Sequence, residues 1–210
     1  MCCSSEQLKS LRKARGLTQA VLASTAGYSE RLIRKLESGQ AVHPDTVEIV
    51  AEALSEKGPR VHPEDLLTSP RQVAQAWVDA YRELEGRLVE QYRVMLDETV
   101  ECFVAGDPEE IPIAGTWYGI DGFSDLWQAF FSAFDRPCKE TYQPTIMVEG
   151  QTAISQGFEK IRIRGTDILG SSWVVMKFEV VRGKAVRISD LFDTSATEVA
   201  IAEGRGTKTA

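Results

Sequence analysis

The chain has 210 residues, a net charge of −7, 43% hydrophobic and 26% charged side chains. That is ordinary globular composition, with room for one large domain or two modest ones. It excludes a polyanion-binding surface spread over the whole chain, but not one confined to the start. Residues 1–36 carry seven Lys/Arg against two Asp/Glu, and residues 37–67 carry two against seven, so the −7 belongs to the remainder.

No apolar run approaches the roughly 20 residues that span a bilayer. The opening "MCCSSEQLKS" lacks the apolar core of a secretory signal, so a cytoplasmic setting is expected. Cys2 and Cys3 fall at an end expected to fray, and Cys102 and Cys138 are far apart. With no C-x-x-C pair, neither a zinc site nor a disulfide framework is indicated, and no metal or cofactor is expected.

Glu6–Arg15 sets Leu8 and Leu11 on one side of a helix that Gly16 ends. Thr18 is placed to cap a second helix running to Ala26, with Leu22, Ala23 and Ala26 inward. Gly27 breaks it where the turn needs a positive φ. Ser29 caps a third helix that ends before Gly39 and has two faces: Leu32, Ile33 and Leu36 for a core, and Arg31, Arg34 and Lys35 on the exposed edge. A fourth helix starts near Pro44 and buries Val47, Val50 and Leu54, and a short fifth starts at Pro63 to bury Leu66 and Leu67.

Two short helices joined by a glycine-containing turn form a helix-turn-helix, whose second helix enters the major groove. An ordinary helical bundle is the alternative. The stretch "GLTQAVLASTAGYSERLIRKLESGQ" resembles the phage-repressor (Cro/C1, XRE-like) helix-turn-helix family over about residues 4–67. The resemblance implies double-stranded DNA as partner, with base edges read from Ser29, Glu30, Arg31 and Lys35. It also implies that Gln19 touches a phosphate and steadies the first reader. Arg31 can grip guanine O6 and N7, and Lys35 can reach the same groove; Arg34 suits a phosphate. Glu30 either pairs with Arg34 one turn on or accepts from cytosine N4. For Arg12, Lys13 and Arg15 a solvated face and a phosphate contact are equally open.

Thr68-Ser69-Pro70 marks a joint, with Pro70 opening the next helix. Val73, Trp77, Tyr81 and Leu84 follow at helical spacing; after Gly86 come Leu88, Tyr92 and Met95. Thr99–Val104 is a strand, "GDPEEIPIAGTWYGIDG" a polar loop, and Phe123, Trp127, Phe130, Phe131 and Phe134 an aromatic stripe on a helix. Strands over about 138–149, 151–165, 172–182 and 184–193 complete an antiparallel meander, with a tight hairpin at Arg182-Gly183-Lys184. The last dozen residues, "VAIAEGRGTKTA", lack periodicity and read as a disordered tail.

That order, with "VAGDPEEIPIAGTWYGIDGFSDLWQAFFSAF" and "RISDLFDT", resembles the SnoaL-like branch of the NTF2-like superfamily over about residues 71–197. The resemblance implies a cone with an apolar pocket, in which a curved antiparallel sheet wraps around helices. Some relatives are polyketide cyclases or ketosteroid isomerases. Asp107-Pro108 with Pro112 and Gly115-Thr116 looks like the loop carrying the isomerase's base, but the position of its acid donor is held by Val174, which cannot donate a proton. His43 and His62 both lie in the N-terminal part, so acid–base work in the cone would fall to carboxylates, Tyr or Lys. Val186, Ile188, Asp190 and Phe192 share one strand face. Asp190 is then either desolvated on a pocket wall, with a raised pKa, or ionised and hydrogen-bonded at the rim. Trp77, Tyr81 and Trp127 are core or pocket lining, and Lys160, Arg162 and Arg164 make a solvated outer face.

The expected architecture is therefore an all-α helix-turn-helix domain (residues 1–67, about five helices), a linker (68–70), an α+β NTF2-like cone (71–198) and a tail (199–210). The expected function is sequence-specific transcriptional regulation by a homodimer whose cone senses an apolar small molecule, dimerises the chain, or both. Candidate pocket residues are Trp77, Tyr81, Asp107, Trp127, Val174 and Asp190. The alternative is a cyclase- or isomerase-like enzyme fused to a DNA-binding module, with Asp107 or Asp190 as its base.

Overall fold

The computed structural model of the protein describes residues 3–40, 42–83 and 87–207. The chain divides into two units: Met1–Ser69 with Val181–Lys184, and Pro70–Val180 with Ala185–Ala210.

In the first unit, α1 (Ser5–Ala14), α2 (Gln19–Thr25), α3 (Glu30–Glu37) and α4 (Pro44–Ser55) are followed by the expected short fifth helix, a 3₁₀ helix over Pro63–Leu66. Their starts are written locally. The Thr18 hydroxyl accepts from the Val21 amide at 3.1 Å, and the Ser29 hydroxyl from the Leu32 amide at 3.4 Å. The α2–α3 turn is a Schellman motif: Gly27 donates to the Ser24 carbonyl and Tyr28 to the Ala23 carbonyl, with Gly27 at φ 69°. Leu8, Leu22, Ile33, Leu36, Val47, Leu54 and Leu66 close one apolar core around the turn.

Two expectations change here. Leu32 is only half-buried, so the inward face of α3 is Ile33 and Leu36. Cys3 does not fray: it is buried, bridges Leu67 as an isolated β-pair, and is followed by Ser4 donating to the Leu66 carbonyl at 2.8 Å.

The second unit begins with α5 (Pro70–Glu83) and α6 (Leu88–Tyr92); the expected Leu84 and Gly86 positions lie outside the described residues. Then come β1 (Leu96–Val104), β2 (Gly115–Tyr118), α7 (Gly119–Ala133), β3 (Phe134–Asp135), β4 (Thr145–Glu149), β5 (Thr152–Ile163), β6 (Leu169–Val181), β7 (Lys184–Leu191) and α8 (Thr194–Thr207). The seven strands form one sheet in the order β2-β1-β7-β6-β5-β3, with β4 also on β5. Between β6 and β7, Arg182 (φ 52°) and Gly183 (φ 76°) make the two-residue turn whose twist matches the strands it joins.

The closing strands β4 to β7 follow one another across the sheet as the expected meander, but the sheet as a whole is mixed, because β1 runs parallel to its neighbour β7. Side-chain alternation fixes the faces of a strand but not the direction of a distant partner. β2 lies in the segment read as loop, and Phe134 leaves the aromatic helix to pair with Ile163. Trp77 is the hub of the core, with ring centroids of Trp127, Tyr81 and Tyr92 at 4.7, 5.3 and 5.3 Å. The segment from Val199 onward, read as a disordered tail, instead continues α8 as far as Thr207. The inner face of α8 includes Thr197, Ala200, Ile201 and Gly204 at helical spacing, a stripe too small-sided to register as an apolar period.

Candidate nucleic-acid interface and ligand cavity

α3 opens with Ser29 as its cap and turns Glu30, Arg31, Arg34 and Lys35 outward. Ser29, Arg31, Arg34, Lys35 and Gln40 line an open groove together with half-buried Leu32. Glu30 and Arg34 approach at 3.9 Å, both largely exposed, the weak i,i+4 pair that is one reading of Glu30.

Behind this edge lies a polar lock. The Arg12 guanidinium donates through Nε and Nη2 to the Glu37 carboxylate and through Nη1 to the Leu17 carbonyl at 2.8 Å. The Gln19 side-chain amide also donates to this carboxylate, to Oε2 at 2.6 Å. Burial pushes the Glu37 carboxyl up, but the hydrogen bonds from Arg12 and Gln19 outweigh it and hold the group below its ordinary value. The lock ties α1, the start of α2 and the end of α3 together and holds the Gln19 side chain in place.

Arg12 is thus buried rather than on a solvated face, Lys13 is exposed, and Arg15 is half-buried. Arg15 donates to the carbonyls of Leu54 (2.8 Å), Leu11 (3.1 Å) and Pro59 (2.8 Å). A helical wheel carries the signal: Arg12 follows buried Leu8 by four residues, and Glu37 follows buried Ile33 by four.

The second unit encloses a cavity of about 40 Å³ between the sheet, α5, α7 and α8. Its apolar wall includes Ile113, Phe130, Phe134, Ile161, Val174 and Phe192; its polar groups include Tyr81, Glu159 and Asp190. Of the six expected pocket residues, Tyr81, Val174 and Asp190 meet there. Trp77 and Trp127 are buried in the core beside it, not on its wall. Asp107 is exposed in the loop after β1, where its Oδ1 accepts from the Glu109 amide at 2.9 Å.

Two carboxylates in one cavity are handled differently. Glu159 takes the Tyr81 hydroxyl at 2.8 Å and the Arg136 guanidinium, which lies 3.4 Å from the Tyr81 ring centroid. Asp190 is 8% exposed, and its Oδ1 has no hydrogen-bond partner among the described residues. Burial first, and the charge of Glu159 second, push its carboxyl up to about 7. Sequence reasoning missed the Arg136–Glu159 pair, although a signal for it exists. With Lys160 outward on β5, strand parity sends Glu159 inward. Arg162 and Arg164 stay on the solvated outer face and both pair there with Asp135, at 3.4 and 2.7 Å.

Comparison with known proteins matches residues 5–62 to the family model "Helix-turn-helix domain". This part of the chain is a helix-turn-helix domain. No curated protein matches the chain. Among solved structures, an NTF2-like protein from Burkholderia xenovorans is 20% identical with a TM-score of 0.53, covering 64% of this chain and 98% of that one. An NTF2-like protein of unknown function from Burkholderia pseudomallei is 15% identical with a TM-score of 0.56 and the same coverages. TerC, co-crystallised with polyporic acid, is 20% identical with a TM-score of 0.51, covering 62% of this chain and 98% of its own. The part that follows the helix-turn-helix domain has the NTF2-like fold. The helix-turn-helix domain supports DNA binding, and among the described residues no helix is long and apolar enough to cross a membrane.

Proposed function

We propose that the protein is a sequence-specific transcriptional regulator of the Cro/C1 kind, acting as a homodimer whose NTF2-like unit senses a small molecule. The observation that carries this reading is the outward edge of α3. Arg31 and Lys35 stand exposed there, with no carboxylate of the described residues within salt-bridge distance, while Arg12, a basic side chain behind that edge, is bonded into the domain. Exposed guanidinium and ammonium groups on the leading edge of a recognition helix suit guanine edges and phosphates.

One such module makes few base contacts, so useful specificity calls for two copies. Support for pairing comes from the solvent-side face of the sheet. Trp173 (60% exposed) and Phe158 (43%) lie directly opposite each other on β6 and β5, with ring centroids 5.8 Å apart, and Leu169 (51%) stands on the same face. An aromatic patch of this kind fits a protein interface. The pair of recognition helices would then sit about one DNA turn apart, roughly 34 Å.

The test is a mobility shift with duplexes recovered from a random pool. Arg31→Ala should weaken specific binding by about 1–3 kcal/mol and relax preference at one base pair, while Gln19→Ala weakens all sequences more evenly. An Arg31→Ala protein that binds like the wild type would remove the assignment.

One observation favours a second reading, an enzyme. A carboxyl poised at about 7 in an apolar cavity suits proton transfer near neutral pH. Conversion of an offered metabolite that disappears with Asp190→Asn would establish it.

A further inference from the structure

Three hollows run along the inner side of α8. The cavity of about 40 Å³ ends at Thr197; a second of about 30 Å³ lies under Ala196, Thr197 and Ala200; a groove of about 180 Å³ lies under Ile201 and Gly204. Their walls are continuous, since Ile161 and Thr197 line the first and second, Ile163 the second and third, and Phe134 the first and third. As α8 sits, the innermost cavity holds only a few waters; a benzene-sized guest needs a void of about 150 Å³.

The element that separates the hollows is held weakly. Among the described residues, Ile201 is the only large apolar side chain that α8 buries; Thr197, Ala200 and Gly204 offer little area. The helix is 14 residues long, carries two glycines and three threonines, and could not persist by itself in water. Its first turn hangs on Asp193, whose carboxylate accepts from the Ala196 amide at 3.0 Å and whose carbonyl accepts from the Thr197 hydroxyl at 2.9 Å. That is the description of a low-stability unit beside a binding site.

The chemistry inside the cavity selects the guest. Glu159 is already satisfied by Tyr81 and Arg136, whereas Asp190 Oδ1 is buried with no donor to it among the described residues. A buried acceptor in that state costs free energy that a donor on a ligand would recover. With Glu159 paired to Arg136, an anion brought against ionised Asp190 would be repelled in a poorly solvated space. Resting on the sensing reading above, we propose that the site beneath α8 binds an apolar molecule whose single polar head, an amine or hydroxyl, donates to Asp190, and that α8 swings from Asp193 to admit it. Anionic head groups are excluded by the ionised Asp190.

The experiment uses the full chain with three probes of one shape: benzylamine, benzyl alcohol and benzoate. Affinities come from ligand-observed NMR, and α8 is followed by amide hydrogen exchange over residues 194–204. Benzylamine and benzyl alcohol should bind, benzoate should bind at least roughly tenfold more weakly, and exchange in α8 should change with the first two. Asp190→Val removes the acceptor and should erase the preference; Asp190→Asn, a closer match in shape, guards against a packing defect by retaining alcohol binding. The assignment is overturned if benzoate binds as well as benzylamine, if Asp190→Val keeps the preference, if α8 exchange ignores every probe, or if none binds. DNA selectivity of the same preparation is read in parallel, so a failure here with selectivity intact condemns the site and not the regulator.

Discussion

Two buried carboxyls set opposite pH dependences in this chain. Asp190 sits at about 7 when folded against an ordinary 3.8, so its raised pKa works against the fold once the unfolded chain is free to ionise it. The deficit opens as pH rises through about 4 and is complete above about 7. Asp190 shares its cavity with Glu159 on β5 and Tyr81, feels the charge of Glu159, and its own charge raises Tyr142. Asp190→Asn is therefore expected to raise stability by roughly 2–4 kcal/mol at pH 8, fading toward pH 4, as urea melts at several pH values would report. Glu37 has the reverse sign. Its pKa is depressed, so its contribution is present above its ordinary 4.5 and lost as pH falls through the lowered value. Arg12→Ala strands that carboxylate and should cost about 3–5 kcal/mol, whereas replacing Arg12 and Glu37 together with Met and Leu should be near neutral. Equal losses in the single and double variants, seen in denaturant melts of the helix-turn-helix domain's signal, would contradict the lock.

At the scale of elements, each turn of the first unit depends on one or two residues. Gly27 has open space where a Cβ would stand, so Gly27→Ala meets no clash and its cost is that of a positive φ alone. A loss of about 1–2 kcal/mol in thermal or urea unfolding is expected. This locality makes the helix-turn-helix legible in the amino-acid sequence: Thr18, Ser29 and Gly27 act within four residues of themselves. The hairpin at Arg182 and Gly183 is legible for the same reason. What the sequence hides depends on partners far along the chain. The parallel pairing of Val104 with Asp190 leaves no periodic trace, and helical spacing puts Arg12 and Glu37 on buried faces without marking them as partners. α8 is hidden because small residues make its buried stripe. The cavity is legible in part, through the face shared by Ile188 and Asp190. Asp107 misleads because a loop motif carries no information about whether its side chain turns inward; here it closes an Asx turn with Glu109.

The whole molecule joins a helix-turn-helix domain to an NTF2-like unit, and on the proposed reading each half supplies what the other lacks. The first reads sequence but needs a second copy; the second offers Trp173, Phe158 and Leu169 as a face for pairing. Trp173→Glu with Phe158→Glu should shift the protein from dimer to monomer in light scattering and weaken operator binding without unfolding either unit. Wild type that is monomeric at micromolar concentration would remove the dimer from the account. DNA reading by α3 is the central claim, and the most direct measurement is selection of binding sites by the full chain from a random duplex pool, followed by footprinting. The account predicts an enriched sequence with two protected half-sites about 10 base pairs apart, one position of which loses its preference with Arg31→Ala. A pool that emerges unenriched, or enrichment indifferent to Arg31→Ala and Lys35→Ala alike, would contradict it.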